Sequence, residues 1–180
     1  MASGRFPPPA QRYASRRLTR SAGTQDYGYW YGSYIYPNLA SCFIAIDQAT
    51  AANGALTVLR GSHAAGRIEH GEVRGQPGGE ADRVELLASH FEEVVCEMDP
   101  GDCLLFHCNL LHRSNPNGTP NPRWALVTCY CALDNPSVGA SDLESEDRVA
   151  VDVLDTDAIV PMAQEHLRRL QAEGAPTAAL

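Results

Sequence analysis

Three side chains close together in the sequence, His112, Ser114 and Arg123, are of types that can do chemistry in concert. His112 follows an apolar strand, from which a neutral imidazole aimed into the mouth of a β-barrel can ligate a metal; a hydrogen-bonded core histidine is the competing reading. Arg123 begins the run RWALVTCYC. A guanidinium at the root of an apolar strand is costly without a partner, and its planar fork suits a carboxylate. That carboxylate belongs either to a bound ligand or to one of the 22 acidic side chains of the chain, as a structural salt bridge. Ser114 adds a hydroxyl two residues after the histidine. The chemistry implied is a metal ion beside an anion anchor.

The elements that must position these residues are mostly strands. LASCFIAID, residues 39–47, has the β-branched and aromatic content of a buried strand, and a short strand over 55–59 follows the turn-prone stretch 47–54. Residues 60–79 hold six glycines and read as a long loop bordering a pocket. EADRVELLASHF, 80–91, has helical spacing at Val84, Leu87 and Phe91 with acids in its first turn. Strands over 93–98 and 103–107 flank Asp99-Pro100-Gly101-Asp102, which suits a type II turn and predicts a hairpin. The last strand is 124–131, and Ile159, Met162, Ala163, His166, Leu167 and Leu170 mark a C-terminal helix packed on the outside. Short strands with marginal helices argue for a mainly β sandwich or jelly roll rather than a doubly wound sheet.

At 180 residues, 44% apolar, the chain has material for one ordinary core. Residues 1–24, with five arginines, three consecutive prolines and no acid, lack the periodicity of a packed element and are expected to be a disordered Arg-rich arm. Taking those five from the 14 basic residues leaves nine against 22 acids, about −13 for the body. Such a body repels a phosphate backbone, so the expected partner is a small molecule and not nucleic acid. Neither a membrane span nor a secretory h-region is visible, which predicts a cytoplasmic protein, with mitochondrial targeting through the Arg-rich arm as the alternative; oligomeric state is left open. The six cysteines, Cys42, Cys96, Cys103, Cys108, Cys129 and Cys131, form no CxxC pair and are expected to be buried thiols.

Four motifs in order carry a resemblance: QDYGYW at 25–30, SCFIAIDQAT at 41–50, NGALTVLRGSH at 53–63, and PGD…FH…LLHRS…NPRWAL over 100–126. From Gln25 to about Asn135 the chain resembles the C-terminal two-thirds of a member of the phytanoyl-CoA dioxygenase family, within the iron(II) and 2-oxoglutarate dependent oxygenases. The resemblance implies an incomplete double-stranded β-helix, cupin-like, over 25–136, followed by a helical extension over 137–180. It implies a metal held by a His-x-Asp…His triad, in which Asp26 and His112 fall on the carboxylate and the distal histidine. It further implies 2-oxoglutarate anchored by Arg123 and Ser114, a substrate space lined by Gln25, Tyr27 and Trp30, and ascorbate as an auxiliary reductant. The implied reaction is hydroxylation of a small organic or lipid-like molecule.

The sequence departs from that pattern at one ligand. Thr24 stands where the first histidine of His-x-Asp belongs, and no histidine precedes His63. A hydroxyl is a poor substitute for imidazole at iron, and the match begins abruptly at that point, so a catalytically silent, truncated or degenerate jelly-roll binding module is the alternative expectation. His63 or His70 could swing in as a replacement. His107 is expected in a hydrogen-bonded core or supporting role. Tyr27, Tyr29, Trp30, Tyr31, Tyr34 and Tyr36 line either a substrate pocket or the sheet. Arg60, Arg67 and Arg74 either greet an anionic group or form a solvated face.

Overall fold

The computed structural model describes residues 23–73, 76–138, 150–151 and 155–172. The expected disordered arm therefore lies outside the described residues, apart from Gly23 and Thr24. Chain contacts divide the protein into two units, Met1–Arg148 and Val149–Leu180.

The first unit is built on two three-stranded antiparallel sheets. In one, β1 (Leu39–Ala45) lies between β6 (Cys103–His107) and β8 (Ala125–Cys131). In the other, β2 (Leu56–Leu59) lies between β5 (Glu93–Val95) and β7 (His112–Ser114). Leu56 and Val58 of β2 pack with Phe106 of β6, and Phe43, Val94, Leu104 and Leu110 close around them, so the inner faces of both sheets share one core. β1 and β2 lie in different sheets, as do β5 and β6, β6 and β7, and β7 and β8. Strands that alternate between two sheets in this way make a jelly roll of the double-stranded β-helix type.

This alternation corrects the expected hairpin at 93–107. The turn itself forms: the Asp102 N–H donates to the Asp99 carbonyl at 3.0 Å, and Gly101 takes φ 93°, the positive value a type II turn needs. The strands on either side then diverge, β5 pairing with β2 and β6 with β1. The glycine-rich loop is also more ordered than its composition implies. It contains a 3₁₀ turn, Ser62–Ala65, and a hairpin of β3 (His70–Val73) and β4 (Gln76–Gly79) in which His70 pairs with Gly79 and Gly71 with Gly78. The amphipathic helix forms as α2, Ala81–His90, burying Leu87 in a cluster with Leu59, Ile68 and Leu111. The second unit contains α3, Thr156–Ala172, over the expected residues. No helix among the described residues is long and apolar enough to cross a membrane.

The expectation of six buried thiols fails. Cys103 and Cys129 are exposed, Cys96 and Cys131 are half-buried, and only Cys42 and Cys108 are buried. For Cys103 the cause is the pleat: it lies with Leu105 and His107 on the outward face of β6, so an apolar run need not be a buried one.

A short helix, α1 (Asp26–Trp30), stands at the beginning of the described chain, and Gln25 just before it is 0% exposed. Its side-chain NH₂ donates to the carbonyls of Gly66 at 2.9 Å and Asn109 at 2.7 Å, and its carbonyl oxygen accepts the Ile68 N–H at 2.7 Å. One amide thus satisfies three backbone groups on two separate segments. We expect Gln25→Ala, which strands those groups in the interior, to lower stability by roughly 2–5 kcal/mol. Urea unfolding checks this, and a loss below about 1 kcal/mol would contradict the latch.

Candidate metal and anion site

Position 24 is tied to position 112 by a pair of backbone hydrogen bonds, Thr24 N–H to the His112 carbonyl and His112 N–H to the Thr24 carbonyl, each 2.9 Å. Directly opposed residues of an antiparallel pair project their side chains to the same face, so the Thr24 hydroxyl and the His112 imidazole share one side. Two residues on, Asp26 opens α1. Its Oδ1 lies 3.6 Å from His112 Nε2, and its Oδ2 accepts a hydrogen bond from the buried Ser41 hydroxyl on β1. His112 Nδ1 is 2.9 Å from the Leu110 carbonyl. A carbonyl only accepts, so Nδ1 carries a proton, and in the neutral ring Nε2 is then the nitrogen available as a ligand.

These two groups are the correct donors for a divalent iron, an imidazole nitrogen and a carboxylate oxygen on converging segments. The third donor is lacking: among the described residues, no three of His, Cys, Asp and Glu are grouped so as to hold a metal ion. The Thr24 hydroxyl is 3.0 Å from the Tyr29 hydroxyl and 3.2 Å from His70 Nε2. His70 is not a substitute ligand. Its Nε2 accepts the Gln25 N–H at 3.0 Å and its Nδ1 lies 2.9 Å from the Ile68 carbonyl, so both ring nitrogens are occupied. The residues present therefore fit iron as two protein ligands of a three-ligand set.

The anion half stands on the same strand. His112 and Ser114 are two apart on β7 and face the same way, and Ser114 is met by Arg123 from the segment entering β8. Arg123 donates from Nη2 to the Ser114 hydroxyl at 3.0 Å and from Nε to the Asn53 carbonyl at 3.1 Å, while Ser114 donates to the Gly54 carbonyl at 2.7 Å. Both partners of Arg123 are neutral. No acidic side chain among the described residues pairs with Arg123, although burial pushes its pKa down and a charge partner would relieve that. Gly54, at φ 83°, leaves no room for a side chain, since an added Cβ would stand 2.2 Å from the Asn115 carbonyl oxygen.

Other expected site residues sit elsewhere. Gln25 was expected along the substrate space, but its amide is spent on the backbone. Tyr27, 3% exposed, points its hydroxyl to the carbonyls of Tyr34 and Ile35, and Trp30 packs on the cluster of Tyr27, Tyr34, Leu39 and Cys108. These three belong to the support of α1. His63 is exposed and its ring stands against His107, 5.7 Å between centroids. His107 is exposed rather than in the core; its Nδ1 accepts the Asn109 N–H at 3.0 Å, and partial desolvation, with His63 nearby, lowers the pKa of its ring. Arg60 pairs with Glu92, and Arg67 pairs with Glu69 and lies over the Tyr31 ring, whereas Arg74 is outside the described residues. Ser41 gained no role from sequence reasoning, because its partner Asp26 is distant in the chain, and His70, expected as a possible replacement ligand, instead packs against Thr24 and Gln25.

The Phytanoyl-CoA dioxygenase (PhyH) family model matches residues 21–125. The chain is 32% identical over 123 residues to the ectoine dioxygenase of Sphingopyxis alaskensis, covering 61% of this chain and 40% of the relative. It is 30% identical over 113 residues to the phytanoyl-CoA dioxygenase of Arabidopsis thaliana, covering 57% and 40%. The methylphosphonate hydroxylase of Gimesia maris is 35% identical over 96 residues, covering 53% and 34%. Among solved structures, EctD from S. alaskensis with bound Fe superposes at TM-score 0.55 and 26% identity, covering 66% of this chain and 41% of that one. The epimerase SnoN, in complex with Fe3+, alpha ketoglutarate and nogalamycin RO, superposes at 0.59 and 16% identity, covering 81% and 56%, a likeness of fold alone. This chain spans 34–40% of the length of the three curated relatives. With the family model matched over more than half its length, on a jelly roll carrying a carboxylate, an imidazole and an arginine in the order of the motifs, the chain belongs to the phytanoyl-CoA dioxygenase family.

Proposed function

We propose that this chain carries the iron(II) and 2-oxoglutarate site of a small-molecule hydroxylase. Asp26 and His112 hold the metal; Arg123 and Ser114 hold the far carboxylate of 2-oxoglutarate. The observation that carries the reading is Arg123, a half-buried guanidinium with neutral partners only, which shares Ser114 with the strand of His112. Two positions along a strand span roughly 7 Å, a spacing on which a short dicarboxylate can reach from a metal to a guanidinium. Bound iron(II) supplies the oxygen chemistry that splits 2-oxoglutarate to succinate and carbon dioxide and hydroxylates the substrate, with ascorbate keeping it reduced. The protein's own part is orientation. Ser41 fixes one carboxylate oxygen of Asp26 and Leu110 fixes the imidazole tautomer, so the remaining oxygen and nitrogen converge. The acidic body supports a small-molecule substrate over nucleic acid.

Iron-dependent release of succinate from 2-oxoglutarate is expected from purified protein with ascorbate; a complete lack of turnover with every candidate substrate would count against catalysis. Removing the anchor charge with Arg123→Gln is expected to weaken 2-oxoglutarate binding about 30-fold or more, measured by calorimetry in the presence of Mn(II). Unchanged affinity would remove Arg123 from the site.

The incomplete ligand set favours a second reading, a silent module that binds 2-oxoglutarate without turning it over. It is distinguished at position 24, whose side chain shares a face with His112. Thr24→His is expected to raise Mn(II) affinity at least about 10-fold, read by the loss of free Mn(II) signal in electron paramagnetic resonance. Because the His70 ring stands against the Thr24 hydroxyl, the same change is made together with His70→Ala to open space. If neither protein gains affinity, position 24 is not the defect.

A further inference from the structure

Cys42 on β1 and Cys103 on β6 bring their sulfurs to 3.0 Å. The register explains how. Cys42 stands opposite Leu105 and Cys103 opposite Ile44, so the two cysteines are diagonal neighbours on one face of an antiparallel pair. At 3.0 Å the sulfurs are inside ordinary van der Waals contact and about 1 Å beyond a disulfide bond length of about 2.05 Å. Their surroundings differ in a useful way: Cys103 is exposed at the sheet edge, whereas Cys42 is 8% exposed behind it. An oxidant in solution reaches the first, and the second is in place to resolve it.

We propose that Cys42 and Cys103 are a covalent modification site, a dithiol that hydrogen peroxide closes to a disulfide. The Cys103 thiolate attacks one peroxide oxygen, forming a sulfenic acid as the O–O bond breaks and the leaving oxygen takes up a proton as water. The Cys42 sulfur then attacks the Cys103 sulfur, forming the S–S bond and expelling the sulfenic oxygen, which leaves as a second water with the Cys42 proton. Two thiols are oxidised by one electron each and one peroxide is reduced by two. The Cys103 thiol shares a hydrogen bond with Cys42 that holds its pKa above the ordinary thiol range, so oxidation proceeds through a minor thiolate fraction and quickens as pH rises.

Two of the other thiols are placed differently. Cys108 is sealed at 0% exposure with its sulfur donating to the Pro37 carbonyl, and burial pushes its pKa to about 11. Cys129, although exposed, lies 3.9 Å from the Ser41 hydroxyl, and partial desolvation of its sulfur raises its pKa. Successive residues of a strand face opposite ways, so Cys42 and its neighbour Ser41 project to different faces of β1, and the crosslink forms away from the Ser41–Asp26 contact. The proposal rests on the thiols and strand register and is independent of the metal reading.

The test uses the full chain treated with a modest excess of hydrogen peroxide, then alkylated with iodoacetamide in acidic denaturant and digested without reductant. A Cys42–Cys103 linked peptide that disappears on treatment with dithiothreitol is the expected product. Fragmentation must separate Cys103 from Cys96 and Cys108, which lie between the same two arginines, Arg83 and Arg113. Free thiols are expected to fall from six to four, and closure of so long a loop is expected to raise Tm by on the order of 10 °C. Cys103→Ser, at an exposed position, is expected to fold and lose both the link and the Tm rise; Cys42→Ser should lose the link while leaving Cys103 open to over-oxidation. Peroxide that leaves six thiols, links another pair, or drives Cys103 to sulfinic acid in the parent protein overturns the proposal.

Discussion

Two backbone hydrogen bonds between Thr24 and His112 hold the segment that enters α1 to strand β7, far along the chain, and the juxtaposition of Asp26 with His112 depends on them. The helix they introduce has five residues, too few to persist by its own hydrogen bonds. It is fixed instead by what surrounds it. The Gln25 amide bonds three backbone groups beyond the helix, the Tyr27 N–H donates to the Cys108 carbonyl at 3.1 Å, and the Tyr27 hydroxyl reaches the chain leading to β1. Asp26 lies between Gln25 and Tyr27, both buried, so its carboxylate is delivered to His112 by a backbone with little freedom to move. The closure spans most of the first unit, but loop entropy grows only with the logarithm of length, and a few satisfied buried groups offset it.

Strand β7 joins the two halves of the site. It has three residues, His112 to Ser114, and its ends face the same way while Arg113 turns outward to Glu93. The metal half depends on β7 through His112 and the anion half through Ser114, so the distance between them is set by the pleat and not by a flexible loop. β7 pairs with β2 on one side, and the turn before β2 supplies the Asn53 and Gly54 carbonyls that orient Arg123 and Ser114. One strand pair therefore sets the register of the histidine, the hydroxyl and the guanidinium together.

The sequence was legible where chemistry is local. The apolar runs of β1, β2, β6 and β8, the helical spacing of α2 and α3, and the positive-φ glycine of the 99–102 turn each leave a mark within a few residues. What could not be read is pairing between distant segments. Pro100-Gly101 reverses the chain in a hairpin or at a crossover between sheets, and the local residues are the same in both cases. Gly71 and Gly78 looked like loop, yet they pair as strand because a hairpin asks only for backbone groups there. Cys103 was expected to be buried, yet it shares the outward face of β6 with Leu105, which is 65% exposed. At the site, His112 and Arg123 stood out by type and context. Gln25 did not: a wholly buried glutamine has no pattern of its own, and its three partners lie more than forty residues away.

The missing ligand is best understood through what has replaced it. An imidazole at position 24 would share a face with His112 and complete three donors around one point. A threonine there is shorter, and the space beyond its hydroxyl is filled from the β3 hairpin by His70, whose ring stands so close to α1 that an added Cβ on Gly28 would lie 2.3 Å from it. That ring is locked at both nitrogens, one by the Ile68 carbonyl and one by the N–H of Gln25, the residue that also latches α1. The polar groups around position 24 are thus satisfied among themselves, and the same histidine that occupies the ligand's space helps to hold Asp26 in place. The contact that the proposed metal would replace is the 3.6 Å approach of His112 to Asp26, which lies apart from the hydrogen bonds of the His70 ring. On the proposed reading two donors, Asp26 and His112, are ordered without a third, so whether the site is ordered and whether its ligand set is complete are separate questions.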